Sequence, residues 1–204
     1  MMYLTRITLN QEHARDLKLF DAYAWHQTLW QAFPNREGEA RDFLSRVESR
    51  AGGYQALLLS PAQPTPTAWG HWEIKAIPDS FLEFTHYRFD LRVNPVISKP
   101  VRSADGTPRP RGRRCPIVNR DELIAWMGRK AESNGFQIDS DHLSLAPPVR
   151  QPFRKGRKTN VHTRVDFQGV LTVTDRDAFL HAFQHGIGPA KAFGFGMLML
   201  QPIG

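Results

Sequence analysis

The first half of the chain shows two kinds of hydrophobic periodicity. In residues 3–9 two sets of side chains alternate, which is typical of a strand. A stripe of apolar side chains at three- and four-residue steps then predicts a helix over about residues 17–33, closed by Pro34. Strands are predicted at about 42–49 and 54–60, on either side of a Gly-Gly turn.

The second half mixes the same two patterns. Its predicted elements are a strand within 80–97, a helix from Asn119 to about 133, a strand near 136–145, a strand over 165–173, a helix that stops at Gly186, and a last strand over 197–200. Capping boxes mark both helix starts, at Asn119 with Glu122 and at Thr174 with Asp177. Prolines in segment 61–79 favour a loop, although its second part fits a strand or a short helix.

The order of these elements indicates the fold class. A strand, a helix, two strands, a short element and a strand are followed by strand, helix, two strands, helix and strand. The second series is the ferredoxin-like plan. We therefore expect an α+β protein of two tandem ferredoxin-like (RRM-like) βαββαβ domains, at 1–86 and 87–204. No residue-level repeat relates the halves, and this fold serves many functions. The aromatic RNP signature of RNA-recognition motifs is missing.

Charge narrows the class of partner. The 204-residue chain has a net charge of +7 and a pI of about 9.9, which favours a polyanion, nucleic acid first and an anionic membrane second. Two stretches, one in a predicted loop over 98–114 and one over 150–164, hold 12 of the 27 basic residues. These residues are Lys99, Arg102, Arg109, Arg111, Arg113 and Arg114, and Arg150, Arg154, Lys155, Arg157, Lys158 and Arg164. Because no segment approaches the ~20 apolar residues of a membrane helix, nucleic acid is favoured over a membrane.

Metal and cofactor chemistry lacks support in the sequence. Cys115 is the only cysteine, so an internal disulfide and a cysteine zinc site are excluded, and a reducing cytoplasm is expected. The N-terminus has a strand pattern and not that of a signal peptide. His181 and His185 are four apart, but no acidic cluster accompanies them and a solvated helix end is favoured. We expect no metal and no cofactor.

The predicted first helix carries a pair of residues that suit RNA cleavage. Tyr23 and His26 are three positions apart and share a helix face. An imidazole exchanges protons near neutral pH, and a phenol can orient it or donate to a phosphate oxygen. RNA supplies its own nucleophile, the 2′-hydroxyl, so such a reaction needs no metal. The competing interpretation is that His26 is an ordinary member of the apolar stripe.

Two further segments could contact RNA. The glycine-rich loop over 186–196 includes Gly186, Gly188, Gly194 and Gly196, whose backbone could approach a phosphate, and Lys191, which adds a charge. The alternative is a tight connection between the last helix and the last strand. The basic stretch 150–164 lies between strands and is interpreted as a hairpin tip that follows phosphates, although a plain surface loop stays possible.

Several motifs together resemble a known family. Tyr23-Ala24-Trp25-His26-Gln27-Thr28-Leu29-Trp30 with Phe33-Pro34 is similar to the family's Tyr-x-x-His helix, followed by Arg41-Asp42-Phe43-Leu44. Leu91-Arg92-Val93-Asn94-Pro95 resembles the strand that opens its second domain, and Gly186-Ile187-Gly188-Pro189-Ala190-Lys191 with Gly194-Phe195-Gly196 its C-terminal loop. The family is the CasE type of CRISPR-associated endoribonuclease, from type I-E systems. The resemblance covers nearly the whole chain, with 61–79 and 98–114 matching least.

The resemblance implies a function and a set of partners. It implies metal-independent cleavage at the 3′ base of the CRISPR repeat hairpin, a product with a 2′,3′-cyclic phosphate, retention of that product and assembly with other Cascade subunits. It places His26 and Tyr23 on the family's catalytic positions and the basic hairpin on the RNA stem. The hypothesis that His26 is catalytic requires that this residue lies at the edge of the apolar stripe, within reach of the loop that holds Lys191. One alternative is a scaffold subunit that binds an RNA hairpin without cutting it. The other is a duplex-DNA binder, but the sequence contains no helix-turn-helix or zinc motif that would support it.

Overall fold

The computed structural model describes residues 1–36, 39–101, 112–155 and 158–203, and of Lys155 and Lys158 only the backbone. Within them the chain forms two antiparallel sheets and a separate two-stranded hairpin. The elements are β1 Met2–Asn10, α1 Gln11–Asp16, α2 Ala22–Trp30, β2 Leu44–Arg50, β3 Gly53–Ser60, β4 His71–Ile77, β5 His86–Val93, β6 Val96–Lys99, β7 Arg113–Pro116, α3 Arg120–Glu132, β8 Phe136–Ile138, β9 Ser144–Leu145, β10 Val149–Lys155, β11 Lys158–Val173, α4 Arg176–His185 and β12 Leu198–Pro202.

The N-terminal sheet has the strand order β2-β3-β1-β4, with antiparallel neighbours throughout. This is the ferredoxin-like order, in which the first strand lies between the third and the fourth. Ile7 on β1, Leu58 on β3 and Leu29 on α2 are fully buried together in its core. The second helix of the plan is replaced by an irregular connection over 61–70.

The C-terminal sheet has the order β10-β11-β5-β12, with β8 and β9 also paired to β11. With β8 as its second strand it follows the same plan, and α3 and α4 pack on it through Leu123, Met127 and Phe179. The prediction of an α+β fold with tandem ferredoxin-like domains is confirmed. The division at residues 86 and 87 stays a prediction.

The first predicted helix was placed too broadly. The stripe over 17–33 is α2 alone, and residues 11–16 form a separate helix, α1, where none was expected. The chain cannot run from one into the other, because Lys18 has a left-handed backbone with φ of 54° and Asp21 starts α2 as its N-cap. Likewise, α4 is capped by Asp175, whose side chain accepts the Ala178 N–H, and not by Thr174.

Three segments that the sequence left open or predicted incorrectly differ for a shared reason. Residues 71–77, which the sequence left open, form β4 because they pair with β1. The predicted strand over 80–97 begins only at His86, after a 3-10 turn at Asp79–Leu82. In the predicted loop over 98–114, β6 pairs with β7, while residues 102–111 lie outside the described residues. Each difference depends on a pairing partner distant in the chain, which local periodicity does not report.

None of the helices in the described part of the chain is long and apolar enough to span a membrane.

Candidate active site

The helix that carries His26 is fixed at its first turn by Asp21. One carboxylate oxygen of Asp21 accepts the backbone N–H groups of Tyr23 and Ala24, both at 2.9 Å. The other oxygen accepts the backbone N–H of Arg154 on β10 at 2.8 Å. These bonds satisfy free N–H groups at the helix start and place a negative charge at the positive end of its dipole. The same carboxylate therefore joins α2 to the basic hairpin.

His26 lies at the edge of the buried stripe on α2. Trp25 and Leu29 are buried in the N-terminal core, whereas His26 is half-buried. The indole N–H of Trp30 lies 3.4 Å from Nε2 of His26, at the long end of hydrogen bonding, and Nδ1 is shielded from solvent without a partner among the described residues. The ring centre of Phe193, in the glycine-rich loop, is 6.4 Å from that of His26. The condition that His26 lies within reach of this loop is met.

The surroundings of His26 favour its neutral form. Burial lowers the pKa of the imidazole below its ordinary value of 6.5, and the positive charge of Arg41 lowers it further. A neutral imidazole at physiological pH is able to accept a proton. The site therefore suits a proton acceptor in the absence of a bound anion.

The glycine-rich loop is shaped by left-handed residues and internal hydrogen bonds. Gly186 and Gly196 have positive φ, and their N–H groups bond to the carbonyls of Ala182 at 2.8 Å and Arg92 at 2.7 Å. A Cβ on Gly196 would lie 2.6 Å from the Ile187 carbonyl oxygen. Since both N–H groups are already engaged, these two glycines build a tight connection, the alternative considered from the sequence. Gly188 and Gly194 also have positive φ.

The loop turns Phe193 toward α2 and holds Lys191 in the same short turn. A 3-10 turn at Lys191–Phe193 begins at Ala190 and ends at Gly194, both left-handed. Lys191 is half-buried, and burial, with the charges of Arg41 and Lys130, lowers its pKa. The ring of Phe193 packs against that of Phe153 on β10, with centroids 4.4 Å apart. The loop thus contacts both α2, the helix that carries His26, and the hairpin of β10 and β11.

Tyr23 was expected either to orient His26 or to donate to a phosphate oxygen, and only the first role requires a contact with His26. The hydroxyl of Tyr23 lies 3.4 Å from Nε2 of Gln27, which donates to it. Within the described ranges no hydrogen bond joins Tyr23 to His26, so the imidazole is held by Trp30 and Phe193 and not by the phenol. Tyr23 is half-buried on the same helix, one turn before His26, where its role in the reaction stays a prediction.

The basic stretch forms the predicted hairpin. Strands β10 and β11 pair from Val149 with Arg164 to Lys155 with Lys158. Arg150 and Arg154 are exposed on β10, whereas Arg157 lies outside the described residues. Arg164 differs from the others because it is bonded to Asp166. Its side chain is still 37% exposed, and its assignment to RNA stays a prediction.

A cleft of about 780 Å³ runs beside His26 between the two sheets. His26 and Phe193 line it, together with charged residues of β2, β5 and β11, but Tyr23, Arg41 and Lys191 do not. The charged residues form a network in which Arg46 bonds Glu48 and Asp90, and Arg92 bonds Asp166. The sequence predicted a polar face for β5 but not this network, because its partners come from three strands. Arg41 was quoted from the sequence as part of the family motif, but no role was assigned to it there.

Comparisons with known proteins place the chain in a family. Residues 2–202 match the family described as CRISPR associated protein. The chain belongs to this family. It is 35% identical to the CRISPR system Cascade subunit CasE of Escherichia coli (strain K12), over 99% of this chain and 100% of the relative. It is 27% identical to the CRISPR-associated endoribonuclease Cse3 of Thermus thermophilus, over 98% of this chain and 100% of the relative.

The structural comparison agrees. The structure of Thermus thermophilus Cse3 bound to an RNA representing a pre-cleavage complex matches with a TM-score of 0.78 and 26% identity, covering 98% of this chain and 99% of that one. The resemblance to the CasE type of CRISPR-associated protein is therefore confirmed. In this family member, no three His, Cys, Asp or Glu side chains of the described residues are grouped as a metal site would require.

Proposed function

We propose that this CRISPR-associated protein is an endoribonuclease that binds the CRISPR repeat hairpin in precursor RNA and cuts it at its 3′ base without a metal ion. The observation that carries the proposal is the placement of His26, half-buried beside a cleft, with a lowered pKa and the glycine-rich loop packed against it. The names of its relatives, CasE of Cascade and the endoribonuclease Cse3, support the substrate class.

The reaction needs only groups that the RNA and the protein supply. His26 takes the proton of the 2′-hydroxyl, and the 2′-oxygen forms a bond to the neighbouring phosphorus. The bond from phosphorus to the 5′-oxygen breaks, and that oxygen takes a proton from water. A 2′,3′-cyclic phosphate and a 5′-hydroxyl result. Lys191 stabilises the negative charge that grows on the phosphate oxygens, and Tyr23 positions the RNA.

The basic hairpin supplies affinity. A-form RNA has a deep, narrow major groove, so a protruding ribbon meets mainly phosphates. Exposed Arg150 and Arg154 on β10 fit this role, and Lys155 and Lys158 pair at the end of the ribbon. Arg157, outside the described residues, is proposed to contribute as well. We propose that the cut RNA is retained by the same contacts and that the protein joins other Cascade subunits in the cytoplasm.

A cleavage assay tests the proposal. Repeat hairpin RNA is incubated with the protein in EDTA, and the expected result is a single cut whose upstream product has the mass of a cyclic phosphate. A 2′-deoxy substitution at the scissile nucleotide removes the nucleophile and abolishes the cut. His26→Ala slows single-turnover cleavage by about a hundredfold or more, while affinity for the hairpin hardly changes.

Three outcomes would contradict this proposal. Normal cleavage by His26→Ala removes the histidine from the reaction. Tight hairpin binding by the wild-type protein without any cut, in EDTA or in Mg²⁺, would favour the scaffold subunit instead. Equal affinity for hairpin RNA and DNA of the same sequence would favour a DNA-binding function.

A further inference from the structure

Arg41 lies between α2 and β2, with its guanidinium held against the protein. Its Cζ atom is 5.3 Å from the ring centre of Phe43, in cation–π geometry. Its Nη1 atom is shielded from solvent and has no hydrogen-bond partner among the described residues. An N–H group in this state is unfavourable in the free protein, because its hydration is lost and not replaced.

The acidic residues nearest to Arg41 in the chain are bonded to another arginine. Arg36 donates to Glu39 at 2.6 Å and, with two nitrogens, to Asp42 at 2.9 and 3.0 Å. Asp42 attracts Arg41 only at longer range. Within the part of the chain that the structure describes, Arg41 therefore has a positive charge without an ion-pair partner.

The charge of Arg41 acts on both basic groups of the candidate site. Burial is the main cause that lowers the pKa of His26 and of Lys191, and the charge of Arg41 is the next cause in each case. Burial also lowers the pKa of Arg41 itself, to about 10. Nδ1 of His26 is, like Nη1 of Arg41, buried without a partner in the described structure. Packing joins these two residues, because the Phe43 ring under the Arg41 guanidinium lies 5.1 Å from the Trp30 ring, and the Trp30 indole nitrogen lies 3.4 Å from Nε2 of His26. Two basic side chains linked in this way each have a buried nitrogen without a partner among the described residues.

We propose that Arg41, with His26 and Lys191, forms an anion site that binds the scissile phosphate of the RNA. The proposal rests on the proposed function and extends it by a residue. A non-bridging phosphate oxygen supplies the acceptor that Nη1 lacks, and a guanidinium binds phosphate more strongly than a neutral donor does. Since charge grows on these oxygens in the transition state, Arg41 contributes more to the rate than to affinity for the RNA.

Charge removal at Arg41 tests the proposal. Arg41→Met keeps much of the side chain's length and loses the charge, Arg41→Lys keeps the charge, and Arg15→Met is the matched control at an exposed position on α1. We expect Arg41→Met to slow single-turnover cleavage of the repeat hairpin by about 10- to 100-fold, with far less change in affinity for the uncleavable 2′-deoxy hairpin. Arg41→Lys should recover part of the rate, and Arg15→Met should cut normally.

The pH dependence of the rate separates a direct role from a structural one. Without the charge of Arg41, the pKa of His26 rises, so the acid side of the profile moves to higher pH in Arg41→Met. If Arg41→Met cuts at the wild-type rate with an unmoved profile, the proposal is wrong. If that variant melts below the assay temperature, Arg41→Gln takes its place with the same expectations. His26→Ala is measured alongside, because normal cleavage by that variant would overturn the proposed function itself.

Discussion

At the scale of single residues, the protonation state of His26 determines whether it can accept or donate a proton when the reaction begins. Burial and Arg41 both lower the pKa of its imidazole, and among the charged groups that the structure describes only Arg41 contributes to that shift. A proton acceptor works in the neutral form, whereas a proton donor works in the charged form. The lowered pKa therefore favours transfer of a proton from the 2′-hydroxyl to His26.

Proton transfer from the 2′-hydroxyl to His26 predicts how the cleavage rate depends on pH. At RNA concentrations well below saturation, the cleavage rate reports the free protein, and it should rise with pH as His26 loses its proton, at a pH below the ordinary 6.5, and then stay level to about pH 8. Rates measured in one series of buffers at constant ionic strength test this. A rate that falls as pH increases from about 6 to about 8 would assign the opposite role, donation to the leaving 5′-oxygen.

At the scale of elements, the start of α2 depends on one carboxylate. Asp21 accepts two N–H groups of its own helix and one from β10, so it fixes both the helix start and the hairpin beside it. Asn119 caps α3 by a similar pair of bonds, to the N–H groups of Asp121 and Glu122, but has no hairpin contact among its described bonds. The two caps therefore form a matched pair for experiment.

Removing each cap separates stability from activity. Asp21→Ala and Asn119→Ala should each lower the free energy of unfolding by about 1 kcal/mol, as N-cap losses do. Only Asp21→Ala should also slow RNA cleavage, because α2 positions His26 and α3 does not. Urea denaturation and single-turnover cleavage on the same preparations give both quantities. Equal cleavage rates for the two variants would contradict a positioning role for Asp21.

The elements also show which parts of the fold and of the candidate site could be predicted from the sequence alone. Strand β1, helix α3 and the strands around the Gly-Gly turn follow from periodicity and capping, and His26 with Lys191 follows from motif resemblance. The division of the first helix, the pairing of β4 with β1 and the bonding of Arg164 to Asp166 do not follow. The pairing of β4 with β1 depends on residues distant in the chain, which single-sequence patterns do not report. The other two differences are local. The first helix divides at the left-handed backbone of Lys18, and the Arg164–Asp166 bond joins residues two positions apart, but hydrophobic periodicity reports neither a backbone angle nor a side-chain bond.

At the scale of the whole molecule, an ion network joins the two sheets. Arg46 on β2 bonds Asp90 on β5, and Arg92 on β5 bonds Asp166 on β11 and the carbonyl of Val47 at 3.0 Å. Burial alone would raise the pKa of Asp166, but hydrogen bonds from Arg164 and Arg92 outweigh it and hold the pKa below its usual value of 3.8. The network fixes the wall of the cleft beside His26.

The network predicts a stability loss and its pH range. Asp166→Asn leaves Arg92 and Arg164 without their shared partner and should lower the free energy of unfolding by about 2 to 4 kcal/mol. Because the pKa of Asp166 is lowered by folding, its contribution is complete above about pH 4 and is lost as pH falls through the folded-state value.

An exposed ion pair is the control for this prediction. Glu73 pairs with Arg6 through side chains that are 35% and 51% exposed, so Glu73→Gln should lower the free energy of unfolding far less than Asp166→Asn does. Urea denaturation of both variants at neutral pH gives the comparison. If Asp166→Asn costs no more than Glu73→Gln, the network does not stabilise the fold.

The length of β11 has an evolutionary consequence. Its first part, from Lys158 to Arg164, pairs only with β10, and its second part, from Val165 to Thr172, pairs with β5 in the core. Because side chains on a strand alternate with a period of two, insertions or deletions of residue pairs in the outer part leave the inner register unchanged. Descendants of one ancestral chain can therefore acquire hairpins of different reach, suited to RNA stems of different length, while the folded core is inherited unaltered.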